Sequence, residues 1–388
     1  MTLTAPPTAP QTATQPAAPS DAATAGVAGF DHEQVVIATG SRSRLTIVVA
    51  IHSTRLGPAL GGARLWSYPT WREALDDALR LSEGMTLKNA CAGLEHGGGK
   101  AVIQVPTGVA LDAETRRNAF LDLGDVVASL DGLYVTAEDV GTSSSDMAVV
   151  AERTAHVTGL PLEDGGVGEP SEATAAGVVS SIRATVELLF DSRDLTGRRA
   201  TISGLGHVGS LVARMLRSEG VDLTVTDVNP ARRALAEELG AMWVSPGSEH
   251  LVETDVFVPC GVGGALTERV VSELAARAVV GAANNQLASR GVADLLAARG
   301  ILWAPDFIVN AGGVIFLSAS ATGQEEVDRR VSAIGETVRS VFATAAADGV
   351  TTLVAAERLA SERLASGSLA TGGLASERPL AEEHASAR

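Results

Sequence analysis

One short segment, Gly204-Leu-Gly206-His-Val-Gly209, constrains the fold of this 388-residue chain more than any other. It follows a strand-like run, Ala200–Ser203, and opens a helical run, Val208–Ser218. A GxGxxG pattern between a strand and a helix is the turn that receives a dinucleotide pyrophosphate. Gly204 makes the tight turn, Gly206 lets the pyrophosphate approach the backbone, and Gly209 lets helix and strand pack closely. The helix start supplies N–H groups and the positive end of its dipole. Val208 and His207 fall inside the cradle, His207 as a solvent-facing spacer. Asp227 ends the next strand, Leu223–Thr226, 23 residues after Gly204. An acid there holds the ribose 2′-hydroxyl and repels a 2′-phosphate, which favours NAD; Arg232 and Arg233 keep NADP open.

Around this turn the pattern repeats. Val256–Val258, Val279–Gly281 and Leu302–Ala304 read as further short strands separated by helices, an α/β arrangement with a parallel sheet. The N-terminal half alternates too. Leu45–Ile51, Ala101–Val105 and Leu133–Thr136 read as strands and Trp71–Met85 as a helix, with Thr70 and Glu73 offering a capping box. Thr174–Leu189 and a long Glu325–Ala347 segment read as helices. The domain reading is a tail over 1–25, an α/β domain over 26–165, a Rossmann domain over 166–318, helices over 319–365 packing back on the first domain, and a tail over 366–388. Both tails read as disordered, and the repeat of Leu-Ala-Ser-Glu-Arg at 359–363 and 374–378 is assigned no function.

Composition narrows the function. A net charge of −16 disfavours nucleic-acid and anionic-membrane partners. Leu45–Ile51 is among the longest apolar runs, far below the roughly 18 residues of a membrane span. No basic residue precedes an apolar stretch at the start, so no signal or transit peptide is expected. Two cysteines, Cys91 and Cys260, exclude a disulfide scaffold and fit a reducing compartment, hence a cytoplasmic expectation. The His residues are scattered without metal-ligand spacing, so no metal is expected.

Of 30 basic residues only two are lysine, Lys88 and Lys100, twelve positions apart in one glycine-rich segment. Arginine stays protonated in proteins, whereas a buried lysine titrates. Gly97-Gly-Gly-Lys100 is not a phosphate loop: position 94 is Leu, and position 101 is Ala. A turn over Ala92–Gly99 would bring both amines to one pocket. There each ammonium depresses the pKa of the other, so that one is a base while the other stays charged.

At this point a resemblance emerges. Met85-Thr-Leu-Lys-Asn-Ala90, Ala92-Gly-Leu-Glu-His-Gly-Gly-Gly-Lys100, Leu56-Gly-Pro-Ala-Leu-Gly-Gly62, Thr136-Ala-Glu-Asp-Val-Gly-Thr142, Pro259-Cys-Gly-Val-Gly-Gly264, Ala283-Asn-Asn-Gln286 and Ala304-Pro-Asp-Phe-Ile-Val-Asn-Ala-Gly-Gly-Val314 are similar to the amino-acid dehydrogenases acting on glutamate, leucine, valine and phenylalanine. The likeness runs from about His32 to Arg363 and is strongest to the bacterial branched-chain members, valine dehydrogenase first. It implies an N-terminal α/β substrate and oligomerisation domain, a Rossmann domain, a cleft between them and a homo-oligomer. It also implies roles. Lys88 binds the substrate carboxylate, Lys100 is the catalytic base, and Asp139 shuttles the amine proton. Thr174, Cys260 and Asn284 join the cofactor site. Asn285 and Gly62 join the substrate site.

Leu60, Ala137, Val314 and Leu317 line the substrate side-chain pocket by family position. Glutamate-specific members carry a lysine at the position of Leu60, so an apolar side chain is expected here. A buried unpaired carboxylate would cost several kcal/mol. Ala137 stands where phenylalanine-type members have glycine, which narrows the pocket toward valine, leucine and isoleucine. After Val314 the chain reads Ile-Phe-Leu-Ser-Ala-Ser-Ala-Thr-Gly, where an acidic run is the family pattern. Two alternatives stand beside this reading: a phenylalanine or broad-range dehydrogenase, and a non-catalytic NAD-sensing protein. The Lys88, Lys100 and Asp139 set speaks against the latter.

Overall fold

Two sheets organise the chain. The computed structural model describes residues 31–371 apart from 167, 320 and 321. The tail read over 1–25 and the second repeat at 374–378 lie outside the described residues.

The first sheet contains β1 (Gln34–Thr39), β2 (Thr46–Ser53), β3 (Ala59–Tyr68), β4 (Gly97–Pro106) and β5 (Tyr134–Glu138) in the order β1-β2-β4-β3-β5. β2 runs antiparallel to β1 and β4, while β3 runs parallel to β4 and β5. Helices α1 (Trp71–Cys91), α2 (Ala113–Ala128) and α3 (Ser144–Ala151) cover it. Alternation along the strands decides which helix each side chain meets. Ile47, Val49, Ile51, Ala101 and Ile103 cluster with Phe120, Leu123 and Met147 of α2 and α3. Val48, Ala50 and Val102 cluster with Ala74 and Ala78 of α1. β2 is therefore apolar on both faces, which is why Leu45–Ile51 is apolar at every position but Thr46.

The second sheet is entirely parallel. It contains β6 (Arg199–Ser203), β7 (Asp222–Thr226), β8 (Met242–Trp243), β9 (Thr254–Pro259), β10 (Ala276–Val279) and β11 (Leu302–Trp303) in the order β11-β10-β9-β6-β7-β8. Helices α4 (Ser171–Phe190), α5 (His207–Ser218), α6 (Arg233–Glu238), α7 (Glu268–Glu273), α8 (Gly291–Ala298), α9 (Asp306–Val309) and α10 (Gly312–Ala319) accompany it. The strand order reverses between β6 and β9, the switch point where open α/β sheets bind ligands beyond the strands' carboxyl ends. The last helices are α11 (Gln324–Ser332), α12 (Ile334–Asp348) and α13 (Thr352–Thr371).

Four local readings change. The turn expected over Ala92–Gly99 is confined to residues 92–96, and Gly97–Gly99 already belong to β4. Those glycines serve close packing: a Cβ at Gly98 would stand 2.1 Å from the Thr86 backbone nitrogen on α1. The segment Glu325–Ala347 is two helices that meet at Ala333. There the Ser180 hydroxyl of α4 donates to the Ser332 carbonyl at 2.8 Å, and a Cβ at Gly335 would stand 2.7 Å from the Ser180 carbonyl oxygen. Helix α13 continues through Thr371, past the boundary at 365. By length and hydropathy α4 would suffice to cross a membrane, but half of its apolar window is buried, packed against α5, α10, α11 and α12.

The C-terminal helices tie the two sheets together. Cys91 Sγ at the end of α1 donates to the Ala356 carbonyl of α13 at 3.6 Å, and Arg363 of α13 donates to the Ala90 carbonyl at 2.9 Å and to that of Cys91. In the same bundle α12 packs on α4.

Candidate active site

Lys100 sits in the middle of β4 opposite Ala50 of β2 and is 4% exposed. Its face of the sheet is the one α1 covers. Its ammonium lies 3.0 Å from Asp139 Oδ2. Asp139 immediately follows β5, and its N–H donates to the Thr142 hydroxyl at 2.8 Å, which fixes the turn that aims the carboxylate. Burial pushes the Asp139 carboxyl up, but Lys100 and Arg64 outweigh it and hold it at about 2. Burial depresses the Lys100 pKa from the usual lysine value, the Asp139 charge opposing and the Arg64 charge assisting.

Lys88 lies in the last turn of α1, three residues before the end of a helix whose Thr70 cap accepts the Glu73 N–H. Its ammonium donates to Asn284 Oδ1 at 3.2 Å, and Asn310 Nδ2 donates to the same oxygen at 2.8 Å. Burial depresses Lys88 to about 8, with Lys100 assisting and Asp306 and Asp139 opposing. For Lys88 loss of solvent comes first and the Lys100 ammonium is a smaller contribution; for Lys100 the assisting cation is Arg64.

These groups share one cavity of about 430 Å³, whose walls include Arg64, Lys88, Lys100, Asp139, Asn284, Asn285 and Asp306. Asn285 has a left-handed backbone, φ +50°, and its N–H donates to Asp306 Oδ2 at 2.5 Å. Burial raises the Asp306 carboxyl, with Lys88 and the Asn285 N–H opposing. A smaller recess of about 270 Å³, between the end of α1 and α10–α12, contains none of these groups.

Sequence reasoning missed Arg64, Asp77, Asp306 and Asn310. Arg64 Nε lies 3.0 Å from Asp139 Oδ2, and its Nη1 lies 2.9 Å from Asp77 Oδ2. With 28 arginines in the chain, scarcity gave no signal for this one.

The residues assigned to the side-chain pocket are not among the walls of that cavity. Leu60, Gly62 and Arg64 alternate along β3 on the Lys100 face, with Gly62 beside Ala137 of β5. Leu60 is 3% and Ala137 4% exposed, and Leu60 shares its cluster with Val314 of α10. A Cβ at Gly62 would stand 2.7 Å from Asp139 Cβ, so only glycine lets that strand pass under the carboxylate. Leu317 reaches toward Gly159, its Cδ2 3.8 Å from where a Cβ there would stand.

The glycine turn fits a dinucleotide on geometric grounds. Gly204 has φ +100°, and a Cβ on it would stand 2.8 Å from the Gly261 nitrogen after β9. A Cβ on Gly209 would stand 2.0 Å from the Gly204 carbonyl oxygen and 3.0 Å from Cys260 Cβ. Gly206, by contrast, is exposed and has open space where a side chain would be. His207 is exposed and begins α5, with Val208 next. Asp227 Oδ2 accepts the Leu205 N–H at 2.6 Å and Oδ1 accepts the Asn229 N–H at 2.7 Å. Each carboxylate oxygen keeps a second acceptor site for a hydroxyl. The Arg233 guanidinium lies over the Trp243 ring at 5.3 Å. Thr174, in the first turn of α4, donates to the Pro170 carbonyl at 3.1 Å beside Gly313.

Comparison with known proteins decides the family. Residues 31–156 match the family described as Glu/Leu/Phe/Val dehydrogenase, dimerisation domain, and residues 225–372 match that described as Glutamate/Leucine/Phenylalanine/Valine dehydrogenase. The chain is 41% identical over 335 residues to a leucine dehydrogenase of Geobacillus stearothermophilus, covering 85% of this chain and 90% of that one. The chain belongs to the Glu/Leu/Phe/Val dehydrogenase family. A valine dehydrogenase of Streptomyces virginiae is 45% identical over 337 residues, covering 85% of this chain and 92% of that relative. Among solved structures, an L-tryptophan dehydrogenase from Nostoc punctiforme superposes with a TM-score of 0.74 at 35% identity, covering 87% of this chain and 97% of that one. In this dehydrogenase the glycine turn at Gly204–Gly209 falls between the two matched segments, so its geometry is support independent of them.

Proposed function

We propose that this dehydrogenase catalyses the reversible oxidative deamination of branched-chain L-amino acids to 2-oxo acids and ammonia with NAD, L-valine favoured over leucine and isoleucine. The observation that carries the proposal is the Lys100–Asp139 contact at 3.0 Å in the same cavity as Lys88. Oxidative deamination needs a fixed cation for the carboxylate, a base for water and a second proton carrier. These three groups supply them.

Lys88 holds the substrate carboxylate, one of its three ammonium donors meeting Asn284 and the others free for the charged acceptor. Gly62 and Asn285 border the bound amino acid. Asp139 takes up and returns the amine proton. Cα gives up a hydride and leaves an imine. Lys100 removes a proton from the water that adds to the imine carbon and releases it to solvent; it then takes the proton of the new hydroxyl as the carbon–oxygen double bond forms and the carbon–nitrogen bond breaks, and ammonia departs with the proton that Asp139 returns. What the bound nicotinamide supplies is the hydride acceptor. Gly204, Gly206, His207, Val208 and Gly209 would hold its pyrophosphate, Asp227 the ribose, and Thr174, Cys260 and Asn284 the nicotinamide end. Asp227 supports NAD over NADP, since a 2′-phosphate would meet its charge.

By family position Leu60, Ala137, Val314 and Leu317, none of which can pair a carboxylate, support an apolar substrate side chain, although they lie outside the walls of the Lys88–Lys100 cavity. A pocket of this kind separates neighbouring methylenes by only about 1–3 kcal/mol, so several branched substrates turn over. The match to a dimerisation domain supports a homo-oligomer. The test is reduced-nicotinamide formation from valine, leucine, isoleucine, phenylalanine and glutamate, with NAD and then NADP. Turnover confined to the branched substrates with NAD is expected. Preference for phenylalanine or glutamate, or for NADP, would overturn the corresponding part of the proposal.

A further inference from the structure

Arg64 has no part in the chemistry above, yet it is built into the same carboxylate. It stands on β3 with its side chain 17% exposed, and its guanidinium is divided between two acids. One nitrogen, Nε, donates to Asp139 Oδ2 at 3.0 Å, and Nη1 donates to Asp77 Oδ2 at 2.9 Å. Asp77, on α1, is itself braced: the Tyr68 hydroxyl donates to Oδ2 at 2.6 Å and Arg80 to Oδ1 at 2.6 Å. The Asp139 oxygen that Arg64 touches is the one Lys100 approaches at 3.0 Å. Two cations on one oxygen fix the rotation of the carboxylate and leave Oδ1 for a substrate amine.

We propose that Arg64 is a positioning residue of the deamination: braced by Asp77 and Tyr68, it locks Asp139 in the rotamer that serves both Lys100 and the substrate amine. This rests on the reading that Lys100 and Asp139 carry the proton steps. The fork of a guanidinium suits the task, because its rigid plane meets two acids at once, which a lysine ammonium on a flexible stem does not.

The arrangement is also electrostatic. The Arg64 charge lowers the Lys100 pKa, while the Asp139 and Asp77 charges raise it. Other titratable groups around the pair, or lining the same cavity, are Lys88, Arg80 and Glu83 on α1, Tyr68 on β3, Tyr134 on β5, Asp306 on α9, Arg290 just before α8 and Glu357 on α13. If Lys100 must lose its proton to act, kcat/KM climbs with pH through its pKa. Removing the Arg64 charge therefore moves that climb to higher pH, and removing the Asp77 charge moves it to lower pH.

The experiment is steady-state kinetics of full-length Arg64→Gln, Arg64→Lys and Asp77→Asn on L-valine and NAD across pH, with Lys100→Ala as the control. For Arg64→Gln, kcat should fall about 10- to 100-fold, the cost of a small misplacement of a reacting group. KM for valine should stay within about threefold, because Lys88 still binds the carboxylate. Its ascending limb should shift to higher pH. Arg64→Lys should restore the limb but not the full kcat. Asp77→Asn should shift the limb to lower pH. NAD binding and the apparent melting temperature report whether each variant folds. If Arg64→Gln does not fold, Arg64→Lys and Asp77→Asn decide: full kcat in the first with an unmoved limb in the second overturns the inference. Undiminished kcat and an unmoved limb in a folded Arg64→Gln, with Lys100→Ala inactive, overturn the role of Arg64 alone. An active Lys100→Ala overturns the reading beneath it.

Discussion

Lys88 and Asn284 meet across the cleft: an ammonium from the last turn of α1 donates at 3.2 Å to an amide oxygen from the loop after β10. One residue belongs to the first sheet's layer and the other to the second. This contact uses one of the three ammonium donors, and under the proposed function the substrate carboxylate would take the others. Lys88→Ala should raise KM for the amino acid about 10- to 100-fold, since hydrogen bonds to charged groups contribute about 1.5–3 kcal/mol. NAD affinity should be unchanged. Steady-state KM with parallel NAD titration checks it.

The pKa of Lys88, about 8, gives this contact a pH dependence. Below that value the ammonium is charged and holds the carboxylate; above it the charge is lost, so KM for the amino acid should climb with pH. Lys88→Arg cannot deprotonate and should abolish the climb, whatever it does to KM itself. The same depression has a consequence for stability. Between about 8 and the ordinary 10.5 the unfolded chain holds more protons at this site, so folding becomes more favourable as pH rises through that window.

Asp227 is tied to the glycine turn, its Oδ2 accepting the Leu205 N–H at 2.6 Å, and under the proposed function it would hold the ribose. Asp227→Asn keeps an acceptor and removes the charge. The ratio of kcat/KM for NAD over NADP should fall about tenfold, an effect of about 1.4 kcal/mol. Initial rates with the two cofactors at fixed valine measure it.

Arg363 caps α1 from a distance of 273 residues in sequence, donating to the Ala90 carbonyl at 2.9 Å. A cation at a helix C-terminus stabilises by about 0.3–1 kcal/mol, up to about 2 when partly buried. Arg363→Ala should lower the apparent melting temperature by a few degrees. It should also raise KM for the amino acid, because Lys88 rides on that last turn. Calorimetry and kinetics on one preparation test both.

Much of this site was legible from residue types. Two lysines in a chain that otherwise uses arginine marked Lys88 and Lys100 before any geometry was known. The glycine turn and Asp227 stood out because their spacing is local to one strand–turn–helix–strand unit. Arg64 and Asp306 were not legible, because their roles come from register. Arg64 reaches Asp139 only because β3 and β5 run parallel with Gly62 beside Ala137. Asp306 acts on Asn285 through a backbone N–H that no spacing reveals. The division at Ala333 escaped for a similar reason: apolar periodicity continues through it, and the cause is a contact with Ser180 of a distant helix.

The central claim is that Lys100 is the base of a deamination, and replacing it tests this most directly. Lys100→Ala, loaded with NAD and assayed with L-valine at alkaline pH, should form reduced nicotinamide at least about 100-fold more slowly than wild type while binding NAD with wild-type affinity. Turnover within about tenfold of wild type would contradict the account, since general base catalysis contributes about 10²–10⁴-fold.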